Sequence, residues 1–177
     1  ELLDAGLVVQ NRNGGLYDKF RNRLMLPVID TRGDVVAFGS RVLDKSEPKY
    51  MNSSETPVYS KRRVLYGLNL AKKSKRPNII LCEGNLDIVT LHQAGFDNAV
   101  ASMGTALTVE QTRLLSRFTK ELVLCYDNDN AGKIATERAL QILNGSEFSV
   151  KVLQLPRRLV DGEYIKQDAD DFIKFQG

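Results

Sequence analysis

The chain has 177 residues, of which 42% are hydrophobic and 27% charged. This is ordinary globular composition, enough for one domain or one domain with part of a neighbour, and it excludes wholesale disorder. The formal net charge of +3 is too small to announce a nucleic-acid partner by itself, and no apolar run approaches the ~20 residues of a membrane helix. The chain opens with Glu1-Leu2-Leu3 instead of Met and has no signal-like segment. It therefore reads as a piece of a longer soluble protein, expected to be cytoplasmic, monomeric and without a membrane partner.

Residues 1–76 carry 15 Lys/Arg against 8 Asp/Glu, and residues 77–177 carry 10 against 14. The small net charge thus hides a basic half followed by an acidic half, which predicts two regions with different tasks. In the basic half, residues 23–30 and 35–43 flank Thr31-Arg32-Gly33-Asp34, the pattern of a hairpin. Residues 45–60 are polar, contain Pro48 and Pro57, and are expected to be mostly loop. A short helix is expected within 61–73, and the basic run 72–77 marks the boundary.

The acidic half alternates in type. Residues 78–83 predict a strand ending in Glu83, and Leu86 to Ala94 a helix stopped by Gly95. Residues 98–103 predict a second strand. Thr108-Val109-Glu110-Gln111 has the form of a capping box and opens a helix to about Phe118. Residues 121–127 predict a third strand, ending in Asp127. A helix follows over 131–143, then a strand over 149–155 stopped by Pro156. Short strands with interposed helices predict an α/β layer: a parallel sheet with helices on both faces. The whole chain is then α+β, with a mixed basic region (1–76) preceding the α/β layer (77–177).

Several chemistries are excluded or weakened. Cys82 and Cys125 lie in apolar runs and read as reduced core thiols. There is no C-x-x-C, and His92 is the only histidine. A Cys/His zinc site within these residues is therefore not expected. A Ser-His-Asp triad would need His92, which reads instead as a half-exposed helix residue. Neither a P-loop nor G-x-G-x-x-G is present.

Carboxylates remain. Ligands of a parallel α/β sheet bind beyond the carboxyl ends of its strands, where Glu83 and Asp127 fall. Gly84 permits a sharp exit after Glu83. Asp87 starts the next helix, and Asp129 follows Asp127 by two. Asp168-Ala169-Asp170-Asp171 adds acids after the fourth strand. One acid at a strand end is ordinarily a helix N-cap or an ion-pair partner. E-G-x-x-D and D-x-D at two strand ends, with D-x-D-D downstream, are harder to assign that way. Converging carboxylates need a neutralising charge or retained protons. Oxygen ligands without histidine or thiolate favour Mg²⁺, with Mn²⁺ as a substitute.

At these residues the sequence resembles the toprim family. Glu83-Gly84-Asn85-Leu86-Asp87 is similar to its first acidic motif, and Asp127-Asn128-Asp129-Asn130-Ala131-Gly132 to its D-x-D motif. Within that family it resembles the RNA polymerase core of DnaG-type bacterial DNA primases. The motifs are Tyr17 to Arg23 with Leu26-Pro27, Phe38 to Val42, Pro48 to Ser53, Leu65 to Leu68, and Ala99 to Thr108. The chain departs from the family pattern at Asn85-Leu86, where an aromatic and Met are common. It departs also at Asn128, commonly Gly, and at Ala169, often Pro.

The resemblance implies a toprim, Rossmann-like sheet and Mg²⁺-dependent synthesis of RNA primers on single-stranded DNA from ribonucleoside triphosphates. It implies Glu83 as the central catalytic acid and a metal ligand, with Asp127 and Asp129 as further catalytic acids and the principal metal ligands. Asp87, Asp168 and Asp170 would complete the site. Arg21, Arg23, Arg41, Lys49, Asn52 and Lys61 would hold template phosphates or the triphosphate, and Tyr50 offers a ring for stacking. Zinc is implied only in a separate N-terminal domain, and contact with the replicative helicase only through a C-terminal one; the polymerase core itself is expected to be incomplete on its N-terminal side. Alternatives are another toprim enzyme (a topoisomerase or nuclease) or a non-catalytic single-stranded-DNA-binding module.

Overall fold

The computed structural model describes residues 1–160, 162–165 and 167–176. The basic region begins with a small hairpin, β1 (Val8–Gln10) and β2 (Leu16–Asp18), not anticipated from the sequence. The predicted hairpin follows as β3 (Arg23–Ile29) and β4 (Val35–Val42), paired antiparallel from Arg23↔Val42 to Ile29↔Val35. Its turn is held by Asp30, whose Oδ1 accepts the backbone N–H of Arg32, Gly33 and Asp34 at 2.8, 3.0 and 3.1 Å. Gly33 has φ +106°, which only glycine adopts freely. The 45–60 segment is mostly irregular, but Tyr50–Asn52 form β5, which completes a three-stranded sheet in the order β3-β4-β5.

The short helix expected within 61–73 is present, at its C-terminal end. Leu65–Tyr66 form β6, and only Leu68–Ala71 form α1. Gly67 explains the break, with φ +81° between strand and helix. β6 pairs antiparallel with a strand of the following α/β layer, so that sheet takes its edge strand from before residue 77.

The α/β layer contains β7 (Asn78–Cys82), α2 (Asn85–Gln93), β8 (Ala99–Ser102), α3 (Val109–Leu115), β9 (Glu121–Leu124), α4 (Asn130–Leu143) and β10 (Ser149–Val152). A small hairpin, β11 (Arg158–Val160) and β12 (Glu163–Ile165), leads to α5 (Ala169–Gln176). The sheet order is β10-β9-β7-β8-β6, parallel throughout except for β6. The fold is α+β with a largely parallel central sheet, as the sequence predicted. The third and fourth strands are shorter than expected, ending at Leu124 and Val152.

Alternation along each strand divides the core in two. Ile79, Leu81, Val100, Leu122 and Leu124 face α1, α3 and α4. Ile80, Cys82, Ala99, Ala101 and Cys125 face α2 and α5. Leu81, Leu122 and Leu124 are wholly buried, each contributing about 1.5–3 kcal/mol of hydrophobic stabilisation. A third cluster, with Val28, Ala37, Tyr59 and Met103, joins the basic region to the α/β layer.

Local signals behave as read. Thr108 Oγ1 accepts the N–H of Gln111, and Gln111 Oε1 accepts that of Thr108, both at 3.1 Å. Both cysteines are buried free thiols. His92 is half-buried on α2, with Nε2 2.9 Å from the carbonyl oxygen of Ala99. Among the described residues no helix is long and apolar enough to cross a membrane.

Candidate active site

β7 and β9 are neighbours, with Leu81 opposite Leu124. Glu83 follows β7 directly, and Asp127 comes three residues after β9. The backbone N–H of Asp127 donates to Glu83 Oε1 at 3.3 Å. Two chain stretches far apart in sequence are thereby joined at the carboxyl edge of the sheet.

Asp87 is brought in by α2. Gly84 caps that helix, and its N–H donates to Asp87 Oδ2 at 3.0 Å. Asp87 Oδ1 accepts the N–H of Asp170 at 3.2 Å, which ties the start of α2 to the start of α5. The Asp87 carboxyl is buried. Burial, then the charges of Asp168 and Asp127, push its pKa up to about 7.

Asp168, Asp170 and Asp171 each place a carboxylate oxygen within 4.8 Å of the others. Asp168 Oδ1 also accepts the N–H of Asp171 at 2.7 Å, an N-cap bond. Asp170 accepts from the Thr90 hydroxyl and from Lys174 Nζ. Burial raises its pKa, but Lys174, Thr90 and Arg41 outweigh burial and hold it below the ordinary carboxylate range. Asp129 N-caps α4, with Oδ1 accepting the N–H of Gly132 at 2.8 Å. The residue at 132 must be glycine, because a Cβ there would stand 2.0 Å from the Asp127 carbonyl oxygen. The D-x-D-x-x-G spacing thus folds the helix start tightly onto the turn that carries Asp127.

Glu83, Asp127, Asp87, Asp168 and Asp170 therefore gather at one edge of the sheet. The donors are all oxygens, and a buried Asp87 is costly to ionise without a cation beside it. Both features fit a hard divalent ion. The sequence reading did not single out Asp171 as a ligand, nor Thr90 and Lys174 as partners of Asp170. Lys174 lies four residues from Asp170 on one helix, a spacing that was legible. Thr90 is 80 residues from Asp170, and no local signal links them.

The basic region faces this edge through Arg41, Lys49, Tyr50 and Asn52. The Arg41 guanidinium and Lys49 Nζ both lie 5.6 Å from the Tyr50 ring centre. Burial raises the Tyr50 pKa; Arg41 opposes this, while Asp168, Asp87 and Asp170 add to it, so the ring sits within electrostatic reach of the acids. Asn52 Nδ2 donates to the Met103 carbonyl at 3.5 Å. Gly39 of β4 makes the close approach possible, since a Cβ there would stand 2.5 Å from Asn85 Nδ2 and 3.1 Å from Asn52 Oδ1.

The other predicted basic residues lie further along the β region. The Arg21 guanidinium sits 5.1 Å from the Tyr17 ring centre. Arg23 Nη1 is buried without a hydrogen-bond partner among the described residues. Lys61 lies near Lys19, whose pKa falls first through burial and then through the Lys61 charge. Lys19 was absent from the sequence-based set.

Residues 1–72 match the family model of the DNA primase catalytic core, N-terminal domain, and residues 80–173 match the Toprim-like model. The chain is 47% identical over 178 residues to a DNA primase of Clostridium acetobutylicum, covering 100% of this chain and 28% of that protein. A crystal structure of a DNA primase domain from Pseudomonas aeruginosa superposes with a TM-score of 0.87 at 41% identity, covering 99% of this chain and 54% of that one. A DnaG primase catalytic domain bound to single-stranded DNA gives 0.86 at 40% identity, covering 99% and 56%. The chain thus spans just over a quarter of the curated relative and about half of the solved domains. The toprim match and the Asp168, Asp170 and Asp171 group suggest divalent-metal binding. With both family models matched along its length, the chain belongs to the DnaG-type bacterial DNA primases, as a toprim-containing part of their catalytic core.

Proposed function

We propose that this chain is the nucleotidyl-transfer part of a DNA primase that synthesises short RNA primers on single-stranded DNA from ribonucleoside triphosphates. The observation that carries the reading is the joined pair Glu83 and Asp127, with the buried Asp87 beside them and Arg41 and Tyr50 opposite. A carboxylate edge facing cations and an exposed ring suits a polyphosphate and a stacked base.

In this reading residues 1–76 hold phosphates and residues 77–177 carry the chemistry. Asp127, Asp129, Asp87, Asp168 and Asp170 would hold Mg²⁺, with Mn²⁺ as a substitute and Asp171 beside them. When bound, the ion supplies neutralisation of the pyrophosphate and acidifies the attacking hydroxyl. Glu83 takes the proton of the ribose 3′-hydroxyl. The 3′ oxygen then bonds to the α-phosphorus of the incoming nucleotide as the bond to the pyrophosphate oxygen breaks. Arg21, Arg23, Arg41, Lys49 and Lys61 orient template phosphates or the triphosphate, and Asn52 holds the loop after β8. The whole protein is read as cytoplasmic and as meeting the replicative helicase through a part outside these residues.

The test is primer synthesis by the full-length parent protein on single-stranded DNA with Mg²⁺. The Glu83→Gln variant is expected to lose about 10²–10⁴-fold in rate while keeping its fold. Normal synthesis by that variant removes Glu83 from the chemistry. Relaxation of supercoiled DNA without nucleotides would replace the primase reading altogether.

A further inference from the structure

Two nucleophilic side chains stand directly beside the acids without a part in the chemistry above. Cys82 is the last residue of β7 and immediately precedes Glu83, while Cys125 follows β9 and stands two residues before Asp127. β7 and β9 are parallel neighbours in the register Ile80↔Val123 and Leu81↔Leu124, so the next rung sets Cys82 beside Cys125. The Cys125 N–H donates to the Leu81 carbonyl at 2.8 Å, which carries the pairing to that rung. Side chains alternate along a strand, and Leu81 and Leu124 belong to the core cluster under α1, α3 and α4. Both cysteines turn the other way and share one cluster with Ile88, Leu91, Leu155 and Ala169. There the Cys82 thiol donates to the Cys125 sulfur, and the charges of Asp87 and Asp127 reach both.

Neighbouring strands lie about 4.8 Å apart, inside the ~4.4–6.8 Å that separates the Cα atoms of disulfide-bonded cysteines. The Cβ atoms of such a bond are closer, about 3.8 Å apart. Two side chains on one parallel rung must therefore be drawn together by about 1 Å to bond. The backbone that moves leads straight into Glu83 and Asp127, which are joined by the 3.3 Å hydrogen bond from the Asp127 N–H to Glu83 Oε1. A displacement of about 1 Å at reacting groups costs roughly 10²-fold in rate. A disulfide that bends its strands is also readily reduced, as regulatory disulfides are and structural ones are not.

We infer that Cys82 and Cys125 form a redox switch: a peroxide joins them in a disulfide that distorts the acid edge and stops its chemistry, and reduction by a thiol restores it. The loss of primer synthesis rests on the nucleotidyl-transfer reading of the acids, whereas formation of the bond does not. Cys125 reacts first, because it is 6% exposed and Cys82 is fully buried. Its sulfur attacks one oxygen of hydrogen peroxide, the O–O bond breaks, and the leaving hydroxide takes the thiol proton to become water. The sulfur of Cys82 then attacks the resulting sulfenic acid. The S–S bond forms, the S–O bond breaks, and a second water leaves with the Cys82 proton. The two thiols lose one electron pair, and the peroxide is reduced to two waters.

The test uses the full-length parent protein, treated with hydrogen peroxide and then freed of it. Digestion without reductant, followed by mass spectrometry, is expected to yield the Cys82 and Cys125 peptides joined, lighter by two hydrogen atoms than the separate thiols. Primer synthesis is expected to fall about 10²-fold. Affinity for Mn²⁺, read by electron paramagnetic resonance, is expected to fall about tenfold. Dithiothreitol should restore both. Cys82→Val and Cys125→Ala are expected to make primers near the unsubstituted rate and to keep that rate after the same treatment, which separates this pair from thiols elsewhere in the parent. Absence of the joined peptide in the treated, unsubstituted protein overturns the inference, whatever the variants do. Inactivation of both variants to the same extent as the parent overturns it as well, and so does a joined peptide that leaves synthesis and Mn²⁺ affinity unchanged. An untreated parent that makes no RNA sinks the nucleotidyl-transfer reading instead, and the peptide and Mn²⁺ measurements still decide the switch.

Discussion

The two faces of the five-stranded sheet are closed in the same way, by helices over alternating apolar residues, but they meet its carboxyl edge differently. On the α2–α5 face the helix starts bring acids together. Asp87 bonds to the backbone of Gly84 and of Asp170, and Asp170 is held by Thr90 and Lys174. On the α3–α4 face the helix start is pressed against the Asp127 turn through Gly132, and an open cleft remains beside it. The α2–α5 face therefore gathers Asp87, Asp168 and Asp170, while the α4 face contributes Asp129 and leaves room beside it. Similar packing of hydrophobic faces leaves the chemistry to be decided by which residues stand in the first turn of each helix.

That contrast can be broken most severely at Gly132. In Gly132→Ala the added carbon meets backbone 2.0 Å away, which no side-chain rotation relieves. The expected loss is at least the about 1–3 kcal/mol of an overpacked core, together with loss of primer synthesis. Chemical denaturation and activity assays check both, and a variant of native stability and rate would refute the tight turn.

The acid face is sharpened by pH. The Asp87 pKa is raised from an ordinary value of 3.8 to about 7. The folded state therefore keeps a proton that the unfolded chain loses. The contribution is fully present below about pH 4 and is lost as the pH rises through about 7. A bound cation reverses the sign, because it needs the ionised form. The rise in Tm caused by millimolar Mg²⁺ should be larger at about pH 8 than at about pH 5, and Asp87→Asn should flatten the difference. A pH-independent Mg²⁺ effect would remove Asp87 from the site.

The smallest expected effect concerns the basic region. Arg41 lies close to the acid face, and the ring of Tyr50 separates it only partly from water. Arg41→Ala in the parent protein should weaken single-stranded DNA binding a few-fold and lower the salt dependence by about one unit. Titrations at several salt concentrations measure this. An unchanged slope would mean that Arg41 serves the acids rather than a phosphate.

Local chemistry made much of the framework legible. Gly33 and Asp30 mark the β3–β4 turn, Thr108 and Gln111 mark the start of α3, and the apolar runs at 79–82 and 121–124 mark central strands. Each signal is carried by residues a few positions apart, so it can be read without knowing what the rest of the chain packs against. The short helix expected within 61–73 is confined to Leu68–Ala71, because Leu65 and Tyr66 satisfy their backbone groups by pairing with Ser102 and Ala101, which are distant in sequence. The E-G-x-x-D and D-x-D motifs were likewise visible as candidates from the chain alone.

The amino-acid order by itself determined the alternation of strands and helices, the two charge regions and the identity of the acids. Tertiary structure alone decided that Asp170 meets Thr90, that Gly39 lets the basic sheet reach Asn85, and that a cleft opens beside Glu83. Those facts depend on how separately formed elements pack, and packing brings together atoms whose distance along the chain carries no information about their distance in space.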